Sequence, residues 1–150
     1  MDFDKLFIRC LIEYDAPEFL NVVAVVKPDF ILSPHREVYE YAIEHFNTYG
    51  VVLNRETLES FSGKKYDDIL VEPLKFYVDK VVERARLIQV RKVLPDLQEY
   101  ATAGKVDKAL TKMEEFTLEM RSAFEVDERA ASIFTSAKEV DRKSTRLNSS

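Results

Sequence analysis

Two histidines, one cysteine and a few adjacent carboxylates are the residues through which this chain could do chemistry. His35 and His45 could ligate a metal. Cys10 could act as a nucleophile. Asp67-Asp68 and Glu114-Glu115 could share a proton, and Gly63-Lys64-Lys65 could touch a phosphate. Their spacing supports none of these uses. His35 and His45 are ten positions apart, which sets them about 80° apart round an ideal helix. Glu44 beside His45 lacks the Glu-x-x-His spacing of di-metal bundles. His45 reads as a hydrogen-bonded core histidine on an apolar helical face, and His35 as a first-turn residue. Cys10 lies in the run Leu6-Phe7-Ile8-Arg9-Cys10-Leu11-Ile12 and reads as a small buried core residue. The acidic pairs have no neighbours that would tune a pKa, so they read as solvated faces. No glycine-rich cradle precedes Lys64, and there is no G-x-G-x-x-G, H-E-x-x-H or paired C-x-x-C. The expectation is a chain with no catalytic, cofactor-binding or metal-binding residue of its own.

Composition narrows the class further. A chain of 150 residues that is 46% hydrophobic suits one compact domain. Its 10 Phe and 7 Tyr supply enough apolar area for a core, which argues against a disordered chain. Only 3 glycines leave little room for a phosphate-binding loop. A net charge of -5 gives no electrostatic drive to coat a phosphate backbone. A single cysteine fits a reducing compartment. The start Met1-Asp2-Phe3-Asp4-Lys5 is not a basic signal-peptide start. No apolar run approaches the ~20 residues of a membrane span. A cytoplasmic protein without a membrane partner is expected.

The elements that must position these side chains are helical. Asp2 can cap a helix carrying Phe3, Leu6, Phe7, Cys10 and Leu11 on one stripe. Asp15, with Pro17 and Glu18 behind it, marks a second start and a possible capping box. Val22 to Val26 is β-branched, yet with no strand partner nearby it reads as a short helix ending near Lys27-Pro28. Ser33-Pro34 opens a third helix, with Val38, Tyr41, Ala42, His45, Phe46 and Tyr49 on one face until Gly50. After the connector Val51-Val52-Leu53, Asn54 caps a brief helix through Leu58 and Phe61, ended by Ser62-Gly63. Glu72-Pro73 opens the longest segment, where Leu74, Val78, Val81, Ala85 and Ile88 form a stripe that Tyr77, Val82 and Val93 widen. Pro95 inside this pattern predicts a kink near Arg91–Leu94. Gly104 closes it. A final helix carries Val106, Leu110, Met113, Phe116, Met120 and Phe124. The short Ala103-Gly104 turn makes the last two helices an antiparallel hairpin.

The fold class is therefore all-α: a small helical head bundle (1–71) followed by an antiparallel helical hairpin (72–125). Residues 126–141 read as the start of a linker. Residues 142–150, Arg142-Lys143-Ser144-Thr145-Arg146-Leu147-Asn148-Ser149-Ser150, are different in kind. Their three positive charges could make a nucleic-acid arm, but the string looks like translated sequencing adaptor and reads as a non-native tail. Without it the net charge falls from -5 to -8. On that reading the natural protein continues beyond about Asp141.

The order of short motifs carries a resemblance. Leu11-Ile12 is followed by Pro17-Glu18-Phe19-Leu20 and then by Lys27-Pro28-Asp29-Phe30. Next come Pro34-His35-Arg36-Glu37-Val38-Tyr39-Glu40-Tyr41-Ala42 and Tyr49-Gly50-Val51-Val52-Leu53-Asn54-Arg55-Glu56-Thr57-Leu58. This succession resembles the N-terminal domain of DnaB-type replicative helicases. Tyr77-Val78-Asp79-Lys80-Val81-Val82-Glu83-Arg84-Ala85 is similar to the start of that family's long helix. The similarity runs from about Phe3 to Ala123. The stretch Ser62 to Leu74 is shorter than the family's, and Pro95 lies outside its pattern. Both departures fit a divergent, phage-encoded member better than a bacterial housekeeping one.

The resemblance implies a head and hairpin that form a collar on a hexameric ring, with hairpins of neighbouring subunits pairing as dimers. It implies a separate RecA-like motor domain that holds the Walker motifs, binds ATP and Mg²⁺ and pulls on single-stranded DNA. It also implies docking of a primase or a helicase loader on the collar. This chain contains no motor, so the expected role is oligomerisation and partner docking in a helicase that unwinds DNA at the replication fork.

The hairpin's apolar residues agree with a partner. Val78, Val81, Val82, Ala85, Leu87, Ile88 and Val90 cover more than one face of their helix, which two helices cannot bury on each other. The rest is covered either by the head or by a second copy. The residues expected to mediate self-association are Val81, Ala85, Ile88, Leu110, Met113, Phe116, Met120 and Phe124. Two rivals stand beside this reading. One is a free-standing helical interaction protein, such as a helicase loader or phage replication regulator. The other is a DNA-binding regulator using His35-Arg36 and the basic tail, which the acidic charge disfavours.

Overall fold

A computed structural model describes residues 2–124. The expected all-α architecture is observed, with no strand among those residues. The linker at 126–141 and the tail at 142–150 lie outside the described residues.

The head is assembled from short capped helices. Helix α1 spans Phe3–Leu11, and the Asp2 carboxylate accepts from the Lys5 amide at 3.2 Å. Helix α2 spans Ala16–Val25, and Asp15 accepts from the Glu18 amide at 3.4 Å. The β-branched run stays helical because Val22 and Val25 face the core; Val26 then turns extended and is fully buried. A single 3₁₀ turn, Pro28–Phe30, leads to helix α3, His35–Tyr49. This helix begins one residue after the expected proline. Pro34 is its N-cap residue, and the Ser33 hydroxyl donates to Glu37 at 2.9 Å instead of capping a backbone amide. Gly50, at φ 72°, stops it. Helix α4, Arg55–Ser62, is capped by Asn54, which accepts from the Thr57 amide at 2.8 Å.

Helix α5 runs without a break over Leu74–Thr102, with Pro95 inside it. Arg91 and Pro95 are both exposed, so water can take the carbonyl that the proline leaves unpaired. The helix closes in a Schellman turn. The Lys105 amide donates to the Tyr100 carbonyl at 2.9 Å, the Gly104 amide donates to the Ala101 carbonyl at 3.2 Å, and Gly104 takes φ 71°. The last described helix, α6, covers 106–124.

One core joins these parts. Phe7, Ile8 and Leu11 of α1, Phe19 of α2, and Tyr39 and Ala42 of α3 pack in the same cluster as Leu74, Tyr77, Val81 and Ala85 of α5. The first three turns of α5 therefore serve the head, and residue 71 does not divide two cores. Beyond Ala85 no further residue of α5 joins that cluster, so the rest of the helix projects from it. No helix among the described residues is long and apolar enough to cross a membrane.

Candidate functional site

The hairpin is held to the head at its base and is open along its flank. At the base, the Arg84 guanidinium donates to the Asp4 carboxylate at 2.6 Å and to the Phe30 carbonyl at 2.8 Å. Asp4 is 3% exposed, and its second oxygen accepts from the Leu32 amide at 3.3 Å. The far end of α6 returns to the same place. Phe124 stacks on Phe30 with ring centroids 5.0 Å apart, the Arg86 guanidinium lies 5.2 Å from the Phe124 ring, and Lys27 Nζ donates to the Ala123 carbonyl at 2.8 Å.

Along the hairpin, α6 turns one side to α5. Ala109, Lys112, Phe116, Met120 and Ala123 recur at helical spacing and are the partly buried residues of α6, with Phe124 buried at the end. Lys112 reaches Asp96 at 3.5 Å. The cleft between the helices is lined by Gln89, Lys92, Val93, Lys112, Glu115, Phe116 and Glu119, a mixed-charge groove around one phenyl ring.

The eight residues expected to mediate self-association divide into three groups. Val81, Ala85 and Phe124 are buried in the common core, so they contact the head and are not free for a partner. Their periodicity marked an apolar face correctly, but the head is what covers it. Ile88, Phe116 and Met120 are half-buried. Leu110 and Met113 remain 52% and 50% exposed. Val106, one turn before Leu110, extends this stripe at 65% exposure. The exposed apolar residues thus form an α6 stripe of Val106, Leu110 and Met113, with the edge of Phe116 and Met120 beside it.

The residues that could do chemistry are dispersed. His35 opens α3, is buried, and meets Asp2 through Nε2 at 2.7 Å. His45 is half-exposed rather than in the core, and its Nδ1 lies 3.2 Å from the Val51 carbonyl. Among the described residues no three metal-ligating side chains come together. Cys10 is buried, and burial pushes its thiol up to about 11, Arg9 opposing and Glu13 adding to that shift. Asp68 pairs with Lys5 at 3.2 Å, whereas Glu114 and Glu115 are exposed. Tyr66 is fully buried, and burial pushes its phenol up. The Tyr66 amide donates to the Glu59 carboxylate at 2.6 Å, which fixes the start of the connector to α5. Neither this contact nor the Asp4–Arg84 pair has a local signal in the sequence.

Comparison with protein-family models, with curated proteins and with solved structures finds no match for this chain.

Proposed function

We propose that this chain is the N-terminal oligomerisation and partner-docking domain of a DnaB-type replicative helicase. The observation that carries the reading is the α6 stripe. Val106, Leu110 and Met113 are each half or more exposed on a hairpin that projects from a small helical head. Apolar side chains in a row on a projecting helix favour a protein partner, because covering them removes apolar area from water. The order of sequence motifs supports the same reading, as does a head-plus-hairpin architecture.

On this proposal, hairpins of two copies pair along α6, and such dimers assemble into a hexameric collar in the cytoplasm. A primase or helicase loader docks on the collar. ATP, Mg²⁺ and single-stranded DNA are handled by a separate motor domain, and the residues of this chain take no part in catalysis.

The direct test is the mass of purified residues 1–141 in solution. Sedimentation at high micromolar concentration is expected to show a dimer or larger assembly. A monomer throughout that range overturns the self-association reading. ATP hydrolysis by these residues alone would contradict the non-catalytic role.

A further inference from the structure

A second surface lies on the head and involves no residue of α5 or α6. Helix α3 sets Tyr41, His45 and Tyr49 at successive turns of one face. The Tyr41 ring stacks on Phe61 of α4 with centroids 3.9 Å apart and planes 2° from parallel. The His45 ring lies 6.5 Å from Tyr41 and 4.9 Å from Tyr49, so the four rings form a continuous ladder. Its two ends are open: Tyr49 is 69% exposed and Phe61 48%. These rings bridge two helices, which fixes their spacing before any partner arrives.

The chemistry of the ladder is one-sided. The Val51 carbonyl can only accept, so the short contact at His45 Nδ1 places the imidazole hydrogen there. In the neutral ring that leaves Nε2 as an acceptor, and no hydrogen bond is made to it among the described residues. Glu44 is exposed on the solvent side of α3, about 60° round the helix from Tyr41. Among the described residues its carboxylate pairs with no cation. The surface therefore offers π-faces, one ring acceptor and one carboxylate, with no donor among them except the tyrosine hydroxyls. A planar guanidinium matches all three features. It stacks on aromatic faces, donates through several N–H groups at once and carries the opposite charge. An ammonium meets the charge but not the stack.

We propose that the ladder of Tyr41, His45, Tyr49 and Phe61, with Glu44 beside Tyr41, docks an arginine-bearing segment of a partner protein. The proposal does not depend on the helicase reading, since it uses neither the hairpin nor the sequence resemblance.

The test is a titration of the isotope-labelled full chain with a short blocked peptide of alternating arginine and leucine. Lysine–leucine and glutamate–leucine peptides and a short single-stranded DNA serve as the other arms. The arginine peptide is expected to shift the amide resonances of 37–63 and to bind more tightly than the lysine peptide, with no shift from the glutamate peptide or DNA. Glu44→Gln and Tyr49→Ser, both at exposed positions, are each expected to weaken binding by about threefold or more without altering the thermal midpoint. The proposal is overturned if the arginine peptide does not bind or shifts resonances elsewhere. It is equally overturned if lysine, glutamate or DNA binds this face as tightly, or if both variants bind like the parent chain.

Discussion

Arg84 on α5 and Asp4 on α1 meet at 2.6 Å although 80 residues separate them in the chain. The pair joins the first helix of the head to the long helix of the hairpin, and Arg84 also donates to the Phe30 carbonyl. Asp4 is almost wholly buried while Arg84 keeps part of its surface in water. Removing Asp4 leaves the partly buried Arg84 guanidinium without its carboxylate. Asp4→Ala is expected to destabilise the fold by about 3 kcal/mol, read as a lowered urea midpoint. A loss within about 0.5 kcal/mol, the usual range for surface changes, would show that the pair is not a structural clasp.

Phe124 anchors the end of α6 by stacking on Phe30. Phe124→Ala removes that ring from the common core and is expected to cost about 3 kcal/mol, the low end for a buried aromatic. The loss is local in kind. Hydrogen exchange should speed up across 106–124 while α1 and α3 keep their protection. Uniform acceleration through the whole chain would contradict a separable anchor.

Leu110 and Met113 are half exposed, so charged replacements there need little repacking. Leu110→Glu and Met113→Lys are expected to change stability by no more than about 0.5 kcal/mol. Both should lower the sedimenting mass of residues 1–141. An unchanged mass would remove the α6 stripe from the association surface.

Asp2 is linked to stability through pH. Burial works against its charge, but the Lys5 amide and the His35 ring together hold the carboxyl below its ordinary value. The folded chain therefore keeps Asp2 ionised at pH values where the unfolded chain has taken up the proton. Its contribution is present above the unfolded value of about 4 and is lost as pH falls through the lower folded value. The stability gap between the parent chain and Asp2→Asn should close as pH drops below about 4. Urea titrations at stepped pH read this directly, and a gap that persists in strong acid would refute it.

Cys10 is buried and its thiol is pushed up to about 11, so little thiolate exists near neutrality. A disulfide reagent at mildly alkaline pH should label the native chain slowly and the urea-unfolded chain fast. Equal rates would mean that Cys10 is reached without unfolding.

Local chemistry made much of this fold legible. Asp2, Asp15 and Asn54 cap helices because a carboxylate or amide oxygen satisfies a free amide wherever the chain turns helical. Gly50, Gly63 and Gly104 stop them because each takes a positive φ. What stayed hidden was the identity of each neighbour. Periodicity marks Val81 and Ala85 as apolar on one side of α5, and it marks Leu110 and Met113 in the same way on α6. Only the folded chain distinguishes them: the first pair lies under the head and the second faces solvent. The Asp4–Arg84 pair escaped for the same reason, since no spacing rule reaches across 80 residues. Helical spacing puts His45 on an apolar face, yet its ring is half-exposed, an inner rung of the ladder between Tyr41 and Tyr49.

The unbroken run of α5 past its buried first turns has a mechanical meaning. From Arg86 to Thr102 it extends for 17 residues, about 25 Å of rise. The base is gripped by Asp4, Phe30 and Lys27, while the Gly104 turn at the tip touches no part of the head core. Such a rod is a lever with its fulcrum at Arg84. One degree of tilt at the fulcrum carries the tip about 0.4 Å, so a small repacking around Phe30 becomes an ångström-scale displacement wherever the tip rests.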